Sequence, residues 1–191
     1  MIEDIQEVFF SEEDLAEIVA RLGAQISEDY KDKNLLLVSV LKGAIVFMAD
    51  LMRSITIPCK IDFLTASSYR DNTVPTDEVK ITKDLTIRDV QGYDILIVED
   101  ILDTGRTLQR LTDVLAHKGA RSVSICTLLD KPERRDPSVT IHPQYIGATV
   151  RNEFVVGYGL DFAQKYRNLP FIGILKPEVY LTSADEVKRS V

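Results

Sequence analysis

The centre of this chain reads Ile95-Leu96-Ile97-Val98-Glu99-Asp100-Ile101-Leu102-Asp103-Thr104-Gly105-Arg106-Thr107-Leu108. Four aliphatic residues open the stretch, and three of them are β-branched, which predicts a strand buried on both faces in a parallel sheet. Two acids, Glu99 and Asp100, end the apolar run, and we expect the strand to leave the sheet there. After a short turn, leucines at helical spacing predict a helix: Leu108, Leu111 and Leu115.

The turn between this strand and this helix has residue types that suit a phosphate. Backbone N–H groups at a helix N-terminus attract phosphate, Gly105 lets the backbone come close, and Thr104 and Thr107 add hydroxyl donors. The three nearby acids would repel a phosphate by itself. A ribose 5-phosphate removes this conflict, because its 2- and 3-hydroxyls donate to carboxylates while its phosphate accepts from the amides. The alternative is a pair of acids at a strand end before an ordinary capped helix.

Strand and helix patterns alternate along the rest of the chain. Ser11 is a typical N-cap because acids fill the turn after it, and apolar residues at helical spacing continue to Ile26. A second helix is predicted from about residue 44 to residue 52. Further strands are predicted over residues 35–41, 60–66, 79–82, 122–129, 145–150 and 171–175. This order predicts an α/β fold with a mostly parallel twisted sheet flanked by helices.

Lysines stand at the exits of two predicted strands. Lys42-Gly43 follows the first buried strand, and ligands of open parallel sheets lie beyond the carboxyl ends of strands. We therefore expect this dipeptide near Glu99, with a solvated lysine and a turn glycine as the alternative. Lys131 follows the strand at 122–129, where the local pattern favours an exposed charge before a proline turn.

Composition narrows the class of protein. A chain of 191 residues suffices for one α/β domain. The net charge of −7 argues against general affinity for nucleic acid, and no apolar stretch is long enough to cross a membrane. Cys59 and Cys126 are far apart and lack a metal-ligand motif. The acidic N-terminus is unlike a signal peptide, so we expect a cytoplasmic protein with reduced cysteines and neither nucleic-acid nor membrane partners.

The segment Val98-Glu99-Asp100-Ile101-Leu102-Asp103-Thr104-Gly105-Arg106-Thr107 resembles the phosphoribosyl-pyrophosphate signature of type I phosphoribosyltransferases. The fit is best to the hypoxanthine-guanine phosphoribosyltransferases and extends from about Phe9 to Pro177. The resemblance implies purine salvage: magnesium-dependent transfer of phosphoribosyl from phosphoribosyl pyrophosphate to hypoxanthine or guanine, giving IMP or GMP and pyrophosphate. It also implies a single type I phosphoribosyltransferase domain with a core and a small hood from the terminal segments: residues 1–191, with the core at about 30–150 and the hood at about 1–15 and 151–180.

By this resemblance each site residue has a role. Asp103 is the general base, which takes or shares the N7 proton of the purine. Glu99 and Asp100 bind the ribose diol, and with Asp161 they are the magnesium residues. The other binding residues are, for the 5-phosphate, Asp103, Thr104, Gly105, Arg106 and Thr107; for pyrophosphate, Leu41, Lys42, Gly43 and Arg167; for the purine, Lys131, Phe154 and the backbone of Val155; and for the lid, Ser68 and Tyr69.

Purine choice depends on Lys131 in this interpretation. Its ammonium can only donate, which suits the 6-oxo group and disfavours an amino group at that position. Two residues depart from the family pattern: Arg106 occupies a position often held by lysine, and Glu153 one that is basic in some members. Glu153 leaves the preference among hypoxanthine, guanine and xanthine open. Family members are usually dimers or tetramers, which implies a homo-oligomer.

Three alternative functions remain open at this point. A xanthine-preferring or pyrimidine phosphoribosyltransferase would keep the fold and change the substrate. A regulator with this fold would bind RNA and use nucleotide only as a signal. A sugar-phosphate binding module would leave Asp103 without a catalytic role. The role of residues 183–191, the choice between dimer and tetramer and the position of the lid are not determined by the sequence.

Overall fold

The computed structural model describes residues 1–68 and 79–181, with only the backbone described at residues 66–68 and 79–80. The chain forms two compact units, one of residues 1–17 with 153–191 and one of residues 18–152. The organisation predicted from the sequence, one domain with a core and a hood, stays a prediction.

The larger unit is built on a six-stranded sheet, because apolar β-rich segments recur between the helices. Its strands are β2 (Leu35–Val40), β3 (Cys59–Ser68), β4 (Val79–Lys83), β5 (Asp94–Leu102), β6 (Ser122–Asp130) and β7 (Tyr145–Thr149). They lie in the order β4-β3-β2-β5-β6-β7, and only β4 at the edge is antiparallel to its neighbour. The mostly parallel sheet is confirmed.

Three helices follow the predicted pattern. They are α1 (Glu12–Asp29), α2 (Ile45–Ser54) and α3 (Arg106–His117). Ser11 caps α1 as predicted: its Oγ accepts from the Asp14 N–H at 3.2 Å, and its own N–H donates to the Asp14 carboxylate at 2.8 Å. The leucines of α3 are buried in one core cluster with strand residues such as Ile95 and Ile97. Each buried leucine contributes about 1.5–3 kcal/mol relative to an exposed one.

The central strand is longer than the sequence pattern indicated. The prediction that it ends at Glu99 and Asp100 is wrong, since β5 continues to Leu102. Leu102 is buried and pairs with Asp130 of β6, and Ile101 pairs with Leu129. The apolar pair after the acids keeps the strand in the sheet, so two carboxylates are held within a strand rather than in a loop.

The smaller unit contains a three-stranded antiparallel sheet. Its strands are β1 (Ile5–Phe10), β8 (Val155–Val156) and β9 (Ile172–Leu175), in the order β1-β9-β8. The strand predicted over 171–175 is confirmed, whereas β1 and β8 were not predicted. Ile5 pairs with Leu175 across almost the whole length of the chain, and such a pairing leaves no signal in local periodicity. In the described parts of the chain, no helix has the length and apolarity needed to cross a bilayer.

Candidate active site

The ends of β2 and β5 bring Lys42-Gly43 beside the acid pair. The two strands are parallel neighbours, so their carboxyl ends share one edge of the sheet. The Gly43 backbone lies against the Asp100 carboxylate so closely that a Cβ at Gly43 would be 1.8 Å from Asp100 Oδ2. The peptide bond between Leu41 and Lys42 is cis. The expected proximity of this dipeptide to the acid corner is therefore confirmed.

Glu99 is the electrostatically most unusual residue of this edge. Its Oε2 atom is buried and has no hydrogen-bond partner within the described residues. Burial raises the pKa of Glu99 well above its ordinary value of 4.5, and the neighbouring Asp100 carboxylate raises it further. Asp100 is better satisfied, since its Oδ1 accepts from the Ile101 N–H at 2.8 Å. A buried oxygen without a partner is a ready acceptor for a hydroxyl or a ligand of a cation.

The same edge carries Asp103 and Lys131. Leu102 and Asp130 are paired in the parallel register of β5 and β6, and the two site residues follow them directly. The Lys131 N–H donates to the Leu102 carbonyl at 3.0 Å. Lys131 is only 8% exposed, so the expectation of an exposed lysine from the local pattern is wrong. The strand ends place a carboxylate and an ammonium donor in adjacent positions.

Arginines that the sequence interpretation missed surround Asp103. Arg134 Nε donates to Asp103 Oδ1 at 3.1 Å, and Arg135 Nη1 donates to the Asp103 carbonyl at 3.0 Å. Arg135 also forms an ion pair with the Asp130 carboxylate. The available signal was the segment 130–136, in which six of seven residues are charged directly after a strand. These contacts orient Asp103 from two sides.

The turn before α3 leaves backbone amides for a ligand. Gly105 is the N-cap residue with φ 82°, a left-handed conformation that favours glycine. The N-cap glycine has no side chain that could cap the helix, so the first-turn N–H groups, among them that of Thr107, receive no acceptor from the N-cap residue's side chain. The Thr104 carbonyl accepts from the Asp136 N–H at 3.0 Å. The turn is thus held by its carbonyl, and a helix start of this kind can bind an anion through backbone amides.

The Arg106 guanidinium contacts the Asp136 carboxylate, so its side chain is already engaged by an acid. Its Nε donates to Asp136 Oδ2 at 2.6 Å, and its Nη2 lies 2.5 Å from the same oxygen. The Ser138 hydroxyl and amide, followed by Arg106, lower the pKa of Asp136 to about 2. The Arg106 guanidinium therefore pairs with a carboxylate that has a low pKa. The Arg106 group that lies at the start of α3 is its backbone N–H.

In the smaller unit, Asp161 and Arg167 form an ion pair. Arg167 Nη2 lies 2.7 Å from Asp161 Oδ1, and its Nη1 donates to the Gly159 carbonyl at 2.7 Å. Asp161 Oδ2 accepts from the Gln164 N–H at 2.8 Å. The surrounding loop is strained, with positive φ at four residues other than glycine: Tyr158, Ala163, Gln164 and Tyr166. Strain of this kind is concentrated at functional loops.

Two of the three predicted purine residues, Phe154 and Val155, belong to this smaller unit. Phe154 is 37% exposed, and its ring stacks on Tyr180 with centroids 4.7 Å apart and planes at 15°. Phe162 packs perpendicular to it at 5.5 Å. Val155 is buried in β8, opposite Ile174. Tyr180 was not identified from the sequence, because local periodicity does not report a contact between residues 26 positions apart.

The lid prediction falls at the boundary of the described chain. Ser68 is the last residue of β3, and its side chain is not among those described. Tyr69 lies outside the described residues, as does the segment 183–191.

Magnesium can be tested against the donor set. Across residues 1–68 and 79–181, no three or more His, Cys, Asp or Glu side chains form a metal cage. Mg²⁺ usually binds through one or two carboxylates together with substrate phosphates and water, so a cage is not required. Glu99 and Asp100 supply adjacent carboxylates, one with a buried oxygen that lacks a partner. This donor set fits the ion.

The fold and the strand-edge site define a class of protein. A family model for the phosphoribosyl transferase domain matches residues 8–163, and the chain belongs to this family. The assignment agrees with the signature resemblance in residues 98–107.

Relatives narrow the comparison to purine enzymes. The chain is 48% identical over 178 residues to a hypoxanthine-guanine phosphoribosyltransferase of Streptococcus pyogenes serotype M3, covering 93% of this chain and 97% of that protein. A solved hypoxanthine phosphoribosyltransferase of Staphylococcus aureus has a TM-score of 0.88 and 48% identity, covering 94% of this chain and 96% of the other. The bifunctional protein TilS/HprT of Listeria innocua serovar 6a is 52% identical over 180 residues, 94% of this chain. This chain spans 27% of the length of that bifunctional relative.

Proposed function

We propose that this chain transfers the 5-phosphoribosyl group of phosphoribosyl pyrophosphate to N9 of hypoxanthine or guanine and releases pyrophosphate, as a step of purine salvage. The observation that carries the proposal is the shared strand edge, at which the Asp100 carboxylate lies against Gly43 and at which Asp103 and Lys131 directly follow two neighbouring strands. Similarity over nearly the whole chain to a hypoxanthine-guanine phosphoribosyltransferase supports the choice of substrates.

The pentose would be bound through its diol and its phosphate together. We assign the 2- and 3-hydroxyls to Glu99 and Asp100, whose carboxylates accept hydrogen bonds. The 5-phosphate would take the amides of the segment 103–107, because the helix start presents N–H groups without a side-chain cap. Negative charge near C1 would also stabilise the positive charge that develops as the C1–O bond breaks.

Pyrophosphate, the leaving group, would contact the loop 41–43 and Arg167. The backbone at Leu41, Lys42 and Gly43 would bind pyrophosphate, and the Arg167 guanidinium would add two parallel donors. Mg²⁺ is proposed as the cofactor, held by Glu99 and Asp100 and through water by Asp161. When bound, it supplies charge neutralisation on the pyrophosphate oxygens.

The purine would contact Lys131, Phe154 and Val155. The Lys131 ammonium donates to the 6-oxo group, the Phe154 ring stacks on the base, and the Val155 carbonyl accepts from the Watson–Crick edge. Asp103 takes or shares the N7 proton as N9 attacks, and such general-base help is typically worth about 10²–10⁴-fold. Ser68 and Tyr69 remain the proposed lid, which would exclude water from the cationic sugar.

The proposal also covers the location and the oligomeric state of the protein. A cytoplasmic location is supported by the two cysteines, Cys59 and Cys126, which are both free. A homodimer or homotetramer is proposed from the resemblance alone, because members of the family are usually dimers or tetramers. Light scattering coupled to gel filtration would measure the number of subunits.

The test is an assay with phosphoribosyl pyrophosphate and magnesium against five bases. We expect nucleotide formation with hypoxanthine and guanine, none with adenine or uracil, and loss of turnover when EDTA removes magnesium. A preference for xanthine or uracil would replace the proposed substrate. Salt-dependent binding of RNA without any transfer would instead favour the regulatory function.

A further inference from the structure

We propose that Tyr180 is a positioning residue for purine binding, which holds the Phe154 ring in the orientation needed to stack on a flat heterocycle. The inference deepens the proposed function and depends on Phe154 being the purine-stacking residue. It adds the segment 176–181, in which the sequence interpretation named no site residue, to the determinants of purine affinity.

The first observation is the geometry of the stack. The ring centroids of Phe154 and Tyr180 are 4.7 Å apart, and their planes differ by 15°. Phe162 packs perpendicular to Phe154 at 5.5 Å. Two aromatic neighbours therefore restrict the Phe154 ring, and the ring remains 37% exposed. An aromatic ring covered on one face and partly exposed elsewhere is a preformed platform for a second ring.

The second observation is that the segment carrying Tyr180 is anchored. The Lys176 N–H donates to the Asp4 carbonyl at 2.9 Å, and Lys176 Nζ donates to the Glu3 carbonyl at 2.6 Å. The Asp4 carboxylate in turn accepts from the Tyr166 hydroxyl at 2.9 Å. These bonds tie the start of the segment to the N-terminal residues of the same unit, four residues before Tyr180.

The third observation is the packing beneath the stack. Tyr180 and Val179 both pack against a buried cluster that contains Val156, Tyr166, Leu169 and Leu175. Phe154 is linked to the same region by its backbone, since its carbonyl accepts from the Leu175 N–H at 2.8 Å. The backbone of Phe154 is thus bonded to the last residue of β9, and its ring is stacked on Tyr180 of the segment that follows β9. A rigid platform binds a base more tightly than a mobile one because less side-chain freedom is lost on binding.

The experiment compares four variants of the full chain with the wild type by steady-state kinetics. Tyr180→Leu and Tyr180→Met remove the ring but keep apolar volume, whereas Tyr180→Phe keeps the stack. Val179→Ala is the matched control, because it removes packing from the same short segment and leaves both rings in place. The Michaelis constants for guanine, hypoxanthine and phosphoribosyl pyrophosphate are measured together with the melting temperature.

We expect Tyr180→Leu and Tyr180→Met to raise KM for both purines by about two- to tenfold, the range that an aromatic pair produces. KM for phosphoribosyl pyrophosphate should stay within about twofold, and Tyr180→Phe should restore the wild-type constants. If the role of Tyr180 is purely structural, Tyr180→Leu and Val179→Ala should change the melting temperature alike. KM for the purines should then not rise relative to KM for phosphoribosyl pyrophosphate.

Two results would overturn the proposal while the proposed function stands. One is an unchanged purine KM in both Tyr180→Leu and Tyr180→Met beside an active wild type. The other is a lowered purine KM, which would mean that Tyr180 blocks the base rather than supports the platform. A wild-type protein that converts neither purine would instead overturn the proposed function and this proposal with it.

Discussion

The Asp100 carboxylate lies directly against the backbone of Gly43, and a methyl group at Gly43 would stand 1.8 Å from Asp100 Oδ2. Residues 57 positions apart in the chain are thereby held at one edge of the sheet. This contact joins the two segments that we assign to the diol and to pyrophosphate. Because the distance is far below van der Waals contact, either the carboxylate or the loop must move if residue 43 gains a side chain.

Gly43→Ala tests this contact. We expect a loss of stability of about 1–3 kcal/mol from overpacking, together with a marked loss of transferase activity. Chemical denaturation and initial rates would measure the two effects. In the double variant Gly43→Ala with Asp100→Ala, stability should recover in part, because the opposing carboxylate is gone, whereas activity should not. If the double variant loses as much stability as the two single variants, Gly43→Ala and Asp100→Ala, lose together, the contact is contradicted.

Asp103→Asn tests the general base. The side chain keeps its shape and its position beside Arg134, so the melting temperature should stay near that of the wild type. Turnover should fall by about 10²–10⁴-fold, since the amide cannot accept the N7 proton. Asp113→Asn on the same stretch of chain, where the carboxylate accepts from Gln109 Nε2 at 3.2 Å, is the control and should keep full turnover. Equal turnover in Asp103→Asn and wild type would remove the assigned role.

Glu99→Gln tests the buried carboxylate through its pH dependence. A raised pKa means that the folded state favours the neutral acid, so ionisation opposes folding increasingly as the pH rises above the ordinary value. The amide cannot ionise, and we expect it to stabilise the protein at pH 8 by about 1–3 kcal/mol. The gain should disappear below about pH 4.5, where the acid is protonated in both states.

Melting temperatures between pH 4 and pH 9 would measure this difference, with the exposed Glu133→Gln as control. The stabilised variant should at the same time bind phosphoribosyl pyrophosphate more weakly, because the amide offers the diol and the cation one acceptor oxygen where the ionised carboxylate would offer two. A stability difference that does not change with pH would contradict the assigned protonation of Glu99.

Lys131→Met tests the choice of base. Removing a charged donor to the 6-oxo group should lower kcat/KM for hypoxanthine and guanine by about 10- to 100-fold, in line with about 1.5–3 kcal/mol for a hydrogen bond to a charged group. Discrimination against adenine should weaken by a similar factor. Lys118→Met, at an ion pair with Asp84, is the matched control. Unchanged discrimination between adenine and the 6-oxopurines would show that another group contacts the substituent at position 6.

Local patterns predicted most elements of the larger unit because they depend on neighbours in sequence. The aliphatic run of β5 and the leucines of α3 are consistent with burial in one core, and the Ser11 cap needs only the next three residues. The sequence also indicated the chemistry of the acid-rich turn. It was wrong at the end of β5, where pairing with β6 overrides the tendency of two acids to end a strand.

By itself, the sequence determined the type of fold, the residue types of a sugar-phosphate turn and the family resemblance, since these reside in contiguous segments. The sequence also predicted that Lys42-Gly43 lies near the acid pair, but only the tertiary structure decided the direct contacts between distant groups: Gly43 with Asp100, Arg134 with Asp103, and Phe154 with Tyr180. The physical reason is that periodicity reports whether a side chain faces the core, whereas a contact between distant residues depends on strand order and register. The strain of the loop around Asp161 is likewise a property of the folded chain alone.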